Sequence, residues 1–115
     1  MAFSESELRK HEAVLDAFLE KRRPPEHLRD KLDVDYRIHR QSIVIFERRA
    51  AWNRPGETIE TPVAKTTYVR TQNEWRVYWQ RSDLKWHGYE PRPEVDSLLD
   101  FLKVVDTDEY GCFWG

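Results

Sequence analysis

Residues 34 to 81 contain a succession of strand patterns, and this feature constrains the fold more than any other in the chain. Val34, Tyr36 and Ile38 alternate with polar residues, which is the period of a half-buried strand. Four consecutive β-formers at 43–46 then favour a central strand that is covered on both faces. We predict four strands, over residues 34–39, 42–49, 63–70 and 75–81.

Helical patterns lie on both sides of these strands. Ser4 followed by Glu7 predicts a capping box, so a first helix should begin there and end before Pro24. A short second helix is predicted from Pro25, and Pro93 should open a C-terminal helix. This order of elements predicts an α+β fold, in which a four-stranded antiparallel sheet carries all three helices on one face.

With 115 residues, the chain is expected to form a single domain. Its aromatic content (five Trp, five Tyr and five Phe) indicates a packed core, although 35% of the residues are charged. The expected parts are a helical part at 4–32, the sheet at 34–81, a loop at 82–92, and the C-terminal helix with a docked aromatic tail at 93–115.

The charge is unevenly distributed, although the formal net charge is only -2. Residues 34–93 hold 11 basic and 7 acidic side chains, whereas residues 94–115 hold 1 basic and 6 acidic ones. The single cysteine, Cys112, excludes an internal disulfide and favours a reducing cytoplasm. No apolar run approaches the roughly 18–20 residues of a membrane span, and no secretory signal is recognisable, so we expect a cytoplasmic protein without a membrane partner.

The last two predicted strands should form a hairpin around residues 71–74. If residues 71 and 74 pair, then Tyr68 opposes Val77. This register puts Tyr68, Trp75, Val77 and Trp79 on one face and Lys65, Arg76 and Tyr78 on the other. The face away from the helices is therefore where we expect a functional site.

Five segments together resemble a known family. They are Arg22–Pro25, Pro62–Lys65, Trp75–Trp79, Asp83–His87 and the ending Tyr110–Gly115. The chain resembles, over nearly its whole length, small bacterial proteins grouped as domain of unknown function family 3024. The resemblance implies a bacterial, single-domain, free-standing protein, and it supplies no activity, cofactor or catalytic residue.

The preferred hypothesis is a small binding module. Basic groups that contact phosphates, interleaved with aromatic rings that stack on bases, are typical of single-stranded nucleic-acid binders. The same pattern also fits a sheet whose aromatic side chains fill the core. The residues predicted to bind nucleic acid or another anionic ligand are Arg70, Arg76, Tyr78, Arg81, Lys85, Trp86, His87 and Tyr89. No cofactor is expected.

An alternative hypothesis is a metal-dependent hydrolase of phosphodiesters. Such an enzyme needs carboxylates to hold Mg²⁺ and a lysine to stabilise phosphoryl charge. The candidate catalytic residues are Glu47, Asp83, Lys85 and His87, with Glu60 as a further ligand. The histidines and Cys112 do not show the short spacing of a metal site, so none is predicted from them.

A third hypothesis is a protein-interaction or homodimerisation module. In that case Trp52, Trp114 and an edge of the sheet would form the contact. Tryptophan is enriched in such interfaces because its large ring buries much apolar area at a small entropy cost.

Overall fold

The computed structural model describes residues 2–114, so Met1 and the Gly115 of the predicted docked tail lie outside the described residues. The elements in chain order are α1 (Glu5–Arg22), a 3₁₀ helix (Glu26–Leu28), β1 (Leu32–His39), β2 (Ser42–Ala50), β3 (Thr58–Val69), β4 (Glu74–Gln80), β5 (Trp86–Gly88), β6 (Glu94–Val95) and α2 (Leu98–Thr107). All neighbouring strands are antiparallel. The spatial order is β1-β2-β3-β4-β5, and β6 pairs with a separate stretch of β4.

The α+β class is confirmed, with both α-helices against the same face of an antiparallel sheet. One continuous apolar cluster joins Leu15 and Leu19 of α1, Phe101 of α2, and Ile45 and Val77 of the sheet. We call this helix-packed side the covered face and the opposite side the open face. Neither helix within residues 2–114 has the length and apolar character needed to cross a bilayer.

The first two predicted helices can be compared with the structure. Ser4 is the N-cap of α1, and its side chain accepts a hydrogen bond from the backbone of Glu7, as the capping box predicts. The second helix is wrong in length: only a 3₁₀ turn forms, and Leu32, which was expected to end it, is already the first residue of β1. Tertiary pairing with β2 takes precedence over helix propensity here, because Leu32 lies opposite Arg49.

The predicted hairpin exists, but its register is shifted by two residues. Tyr68 lies opposite Trp75 rather than Val77, and Thr66 lies opposite Val77. Asn73 has a φ of 49°, so a left-handed residue closes the turn immediately before β4. Because side chains alternate with a period of two, a two-residue shift leaves every side chain on its predicted face.

The sheet has six strands rather than four, because two short strands complete the outer edge of β4. The predicted loop at 82–92 contains β5, whose residues pair with the C-terminal half of β4. Pro93 does not open a helix: its carbonyl accepts a hydrogen bond from Val77, and Val95 pairs with Trp75. The helix begins at Leu98, where the Ser97 side chain accepts a hydrogen bond from the Asp100 backbone.

The opposite edge of the sheet is protected by carboxylates. The backbone N–H groups of Val34 and Tyr36 each donate to the side chain of the preceding aspartate, over 2.8 Å in both cases. Asp33 is also held by Arg23, and this hydrogen bond lowers the pKa of the carboxyl. An edge strand whose N–H groups are occupied is a poor template for pairing with another chain.

Candidate functional site

The central part of the open face combines polar, basic and aromatic side chains from four strands. The pairings align Val44, Lys65, Tyr78 and Gly88 in one row across β2, β3, β4 and β5. Trp86 lies on the same face as Tyr78, two residues before Gly88 on β5. A functional surface of this kind is positioned by the rigid sheet rather than by loops.

Lys65 lies close to both aromatic rings of this surface. Its ammonium nitrogen is 5.6 Å from the centre of the Tyr78 ring and 6.0 Å from the centre of the Trp86 ring. All three side chains are half-buried. Among residues 2–114, no carboxylate forms a salt bridge with Lys65. The cation is therefore balanced only by the negative faces of the rings, which leaves it free to attract an anion.

Gly88 leaves open space beside Tyr78. A Cβ atom built on Gly88 would meet no heavy atom within 4 Å. The register places this missing side chain directly opposite Tyr78, on the same face. Glycine in a strand often marks a place where a ligand approaches the backbone closely, and the geometry here allows such an approach.

The next row of the open face is polar. The hydroxyl oxygens of Ser42 and Thr67 are 2.8 Å apart, and Thr67 lies opposite Arg76. Arg76 is exposed and has no salt bridge within the described part of the chain. It supplies a second cation without a salt bridge beside the aromatic row, and Glu94 of β6 is its cross-strand neighbour. We call Lys65, Arg76, Tyr78 and Trp86 the cationic-aromatic face.

The remaining part of the open face is closed by its own ion pairs. Phe46 is buried there beneath the guanidinium groups of Arg37 and Arg48, which lie 4.8 and 5.5 Å from the centre of its ring. Both arginines also pair with Glu60, and this contact lowers the pKa of the Glu60 carboxyl. These arginines are already neutralised, which distinguishes them from Lys65 and Arg76.

Five of the predicted ligand-binding residues do not belong to the cationic-aromatic face. Arg70 forms a two-pronged ion pair with Glu7 of α1, at 3.1 and 3.0 Å, and this pair lowers the pKa of Glu7 to about 2. Tyr89 is buried against Phe113, and burial raises the pKa of its hydroxyl. Lys85 is exposed in the β4–β5 turn, where its backbone N–H donates to the carboxylate of Asp83.

The other two, Arg81 and His87, line a separate cleft of about 430 Å³ at the edge of the sheet. Arg81 lies over the ring of Trp79, 5.6 Å from its centre. His87 pairs through Nε2 with Asp83 at 2.9 Å. Cys112 also lines this cleft, and burial raises the pKa of its thiol, which disfavours a thiolate nucleophile at neutral pH.

The residues of the hydrolase hypothesis are not gathered around a metal position. Glu47 pairs with Arg49 on β2, whereas Asp83 and His87 pair with each other beyond β4. Within residues 2–114, no three His, Cys, Asp or Glu side chains lie close enough together to hold a metal ion. The structure therefore divides this set between β2, which carries Glu47, and the β4–β5 region, which carries Asp83, Lys85 and His87.

The two tryptophans of the interaction hypothesis differ sharply in environment. Trp52 is 93% exposed in the loop between β2 and β3. Trp114 is half-buried: its indole N–H donates to the carbonyl of Val105, and Arg22 lies 4.0 Å from its ring centre. Of these two tryptophans, Trp52 is the one that is almost fully exposed.

Sequence reasoning left two members of the site out of the predicted ligand-binding set. Lys65 was placed on the correct face but is 13 residues before Tyr78 in sequence, so its contact with the two rings depends on the pairing of β3 with β4. Gly88 was read as a loop residue. Assigning β5 as a strand would have identified both Gly88 and the outward position of Trp86.

The fold and this surface define a small α+β protein with a one-sided helical covering and an exposed cationic-aromatic face. The chain belongs to the family described as Domain of unknown function (DUF3024), which matches residues 3–115. Neither the curated proteins nor the solved structures contain a match to the chain.

Proposed function

We propose that this protein is a binding module that takes single-stranded nucleic acid on its cationic-aromatic face. The observation that carries the proposal is the position of the Lys65 ammonium, 5.6 Å from the centre of the Tyr78 ring and 6.0 Å from that of the Trp86 ring. Aromatic rings on a sheet stack with bases irrespective of sequence, and an adjacent cation attracts the phosphate backbone. Lys65 and Arg76 provide two such cations, neither of which forms a salt bridge with a carboxylate of residues 2–114.

The distribution of charge supports the same proposal. Five of the six acidic residues of the C-terminal segment lie on or around α2, which packs against the covered face, whereas Glu94 lies on β6 opposite Arg76. Asp106 is further occupied by Arg22 of α1. A negatively charged strand would thus meet the unpaired cations on one side of the sheet, while most of the acidic C-terminal segment lies behind the other side.

The proposed setting is the cytoplasm of a bacterial cell. The single cysteine suits a reducing compartment, since no disulfide within the chain is needed to hold the fold. Cellular RNA or exposed single-stranded DNA would then be within reach of the protein.

Binding of a fluorescein-labelled ten-nucleotide strand, measured by fluorescence anisotropy at 50 and 200 mM salt, tests the proposal. Each neutralised phosphate contributes a slope of about -0.7 for single strands. Two contacted phosphates, one at Lys65 and one at Arg76, should weaken binding roughly sevenfold between these salt concentrations. Absence of binding at 50 mM salt would refute the proposal.

Neighbouring residues of β5 provide a matched pair of variants. Trp86 lies on the open face and His87 on the covered side, one residue apart. Trp86→Ala should weaken binding by about 1–3 kcal/mol through the loss of stacking, whereas His87→Ala should leave the affinity unchanged. If His87→Ala caused the larger loss, the ligand would lie in the edge cleft instead.

A second candidate function is a protein contact made by Trp52. A tryptophan that is 93% exposed at the tip of a loop is the one large aromatic of this chain left almost fully in water among residues 2–114. Exposed tryptophans are common anchors of interfaces. Light scattering should show a dimer that Trp52→Ala converts to a monomer; a monomeric wild-type protein would leave self-association without support.

A further inference from the structure

We infer that the cationic-aromatic face binds two consecutive nucleotides in a fixed register, with the phosphate that joins them on Lys65 and one base on each of Tyr78 and Trp86. This inference rests on the proposed function. It adds the minimal ligand, a dinucleotide, and assigns one chemical group of that ligand to each of three side chains.

The closeness of one cation to two aromatic rings carries the inference. The Lys65 ammonium is 5.6 Å from one ring centre and 6.0 Å from the other, so the ring centres are no more than 11.6 Å apart, the sum of these distances. The rings come from neighbouring strands and the cation from a third strand beside them. In a single strand, one phosphate lies between each two successive bases. On the protein, one cation is thus within reach of two rings, just as on the ligand one phosphate is linked to two nucleosides.

The surroundings of the three side chains allow this placement. On the β5 side, Gly88 leaves open space opposite the Tyr78 ring, so a base can approach it without displacing a side chain there. Along β4 in the other direction, Arg76 lies on the same face two residues before Tyr78. A third nucleotide would thus bring its phosphate towards Arg76.

A pair of thymidine dinucleotides tests the register. One has the natural phosphodiester linkage, and the other has a methylphosphonate linkage, which has nearly the same shape but no charge. Their affinities are measured from the indole N–H signals in NMR titrations. We expect the neutral dinucleotide to bind about fivefold more weakly, as is usual for loss of one exposed ion pair near the upper end of its range.

The Lys65→Met variant shows whether Lys65 is the group that binds the charged phosphate of the linkage. In this variant the two dinucleotides should bind equally, because the partner of the phosphate is absent. Lys65→Gln serves as a second variant with a polar side chain, and circular dichroism confirms the fold of each.

The outcomes of these titrations distinguish a failure of the proposed dinucleotide register from a failure of the proposed function. Equal affinity of the two dinucleotides for the wild-type protein overturns the register, as does a fivefold difference that persists in the folded Lys65 variants. Absence of dinucleotide binding while the ten-nucleotide strand binds also overturns it. If the ten-nucleotide strand itself fails to bind, the proposed function fails as well.

Discussion

The two faces of the sheet place the same residue types in different surroundings. On the covered face, Trp75 is 5% exposed and packs against the rings of Phe3, His11 and Tyr68 at 4.9 to 5.8 Å. On the open face, the Trp86 ring is half-buried and has a lysine ammonium as its neighbour. An aromatic ring surrounded by other rings holds the fold together, whereas one beside an unpaired cation is available for a ligand.

The largest effect expected from this comparison is on stability. Trp75→Ala should lower the free energy of unfolding by about 3–5 kcal/mol, because it removes a large ring from the centre of an aromatic cluster. Trp86→Ala should lower it by less than about 1.5 kcal/mol, since water already reaches this ring. Urea denaturation followed by circular dichroism measures both values. Similar losses for the two variants would remove the distinction between the faces.

Gly88→Val sharpens the comparison by adding bulk to the open face alone. The free space around Gly88 accepts the new side chain, and valine suits a strand better than glycine, so the thermal midpoint should not fall. Binding of the ten-nucleotide strand should weaken by roughly tenfold, because the valine stands beside the Tyr78 ring where a base would stack. A variant that binds as tightly as the wild type would show that Tyr78 is not part of the site.

Two arginines of the β3–β4 hairpin should differ in their effect on strand binding, and this effect should be smaller than that of Gly88→Val. Within the described part of the chain, Arg76 forms no salt bridge on the open face, whereas Arg70 is held by Glu7 on the covered side. Arg76→Gln should weaken strand binding by about two- to fivefold and make it less dependent on salt. Arg70→Gln should leave the affinity unchanged.

Arg70→Gln should instead change the acid sensitivity of the protein. The pKa of Glu7 is lowered to about 2, so its contribution to stability is present above the unfolded value of 4.5 and is lost as the pH falls through about 2. Denaturation between pH 5 and pH 2 measures this contribution. An unchanged profile in the variant would mean that the ion pair does not stabilise the fold.

The smallest expected effect is the pH response of the covered face. Burial between Phe3 and Trp75 lowers the pKa of His11, so the folded state favours the neutral ring. Glu7 and Lys10 act on the ring in opposite directions. The stability due to neutral His11 is complete above its unfolded pKa of 6.5 and declines below it, levelling off once the folded pKa is passed. His11→Phe should flatten this part of the stability profile between pH 7.5 and 5.

The fold class and the two faces could be predicted because they depend on a period of two. The error in hairpin register did not matter for Tyr68, Trp75 or Tyr78, since a shift by two residues preserves the face of each. The class of the fold required only that strands lie between two helical patterns. These features are local in the sequence.

The composition of the site could not be predicted fully because it depends on β5. This strand has three residues and follows a turn in which Leu84 adopts a φ of 62° and Asp83 accepts the Lys85 N–H. Because β5 was not predicted, Trp86 and His87 were assigned to the same binding surface, although they lie on opposite sides of the sheet. The contact of Lys65 with both rings likewise requires three strands to be aligned, and no local pattern encodes such an alignment.

An NMR titration of the five tryptophan indole N–H signals with the ten-nucleotide strand tests the central claim most directly. The account predicts that the Trp86 signal moves with ligand concentration while those of Trp75 and Trp114 stay in place, because their rings pack within the protein and away from the open face. A titration in which the Trp75 or Trp114 signal moves and that of Trp86 does not would contradict it.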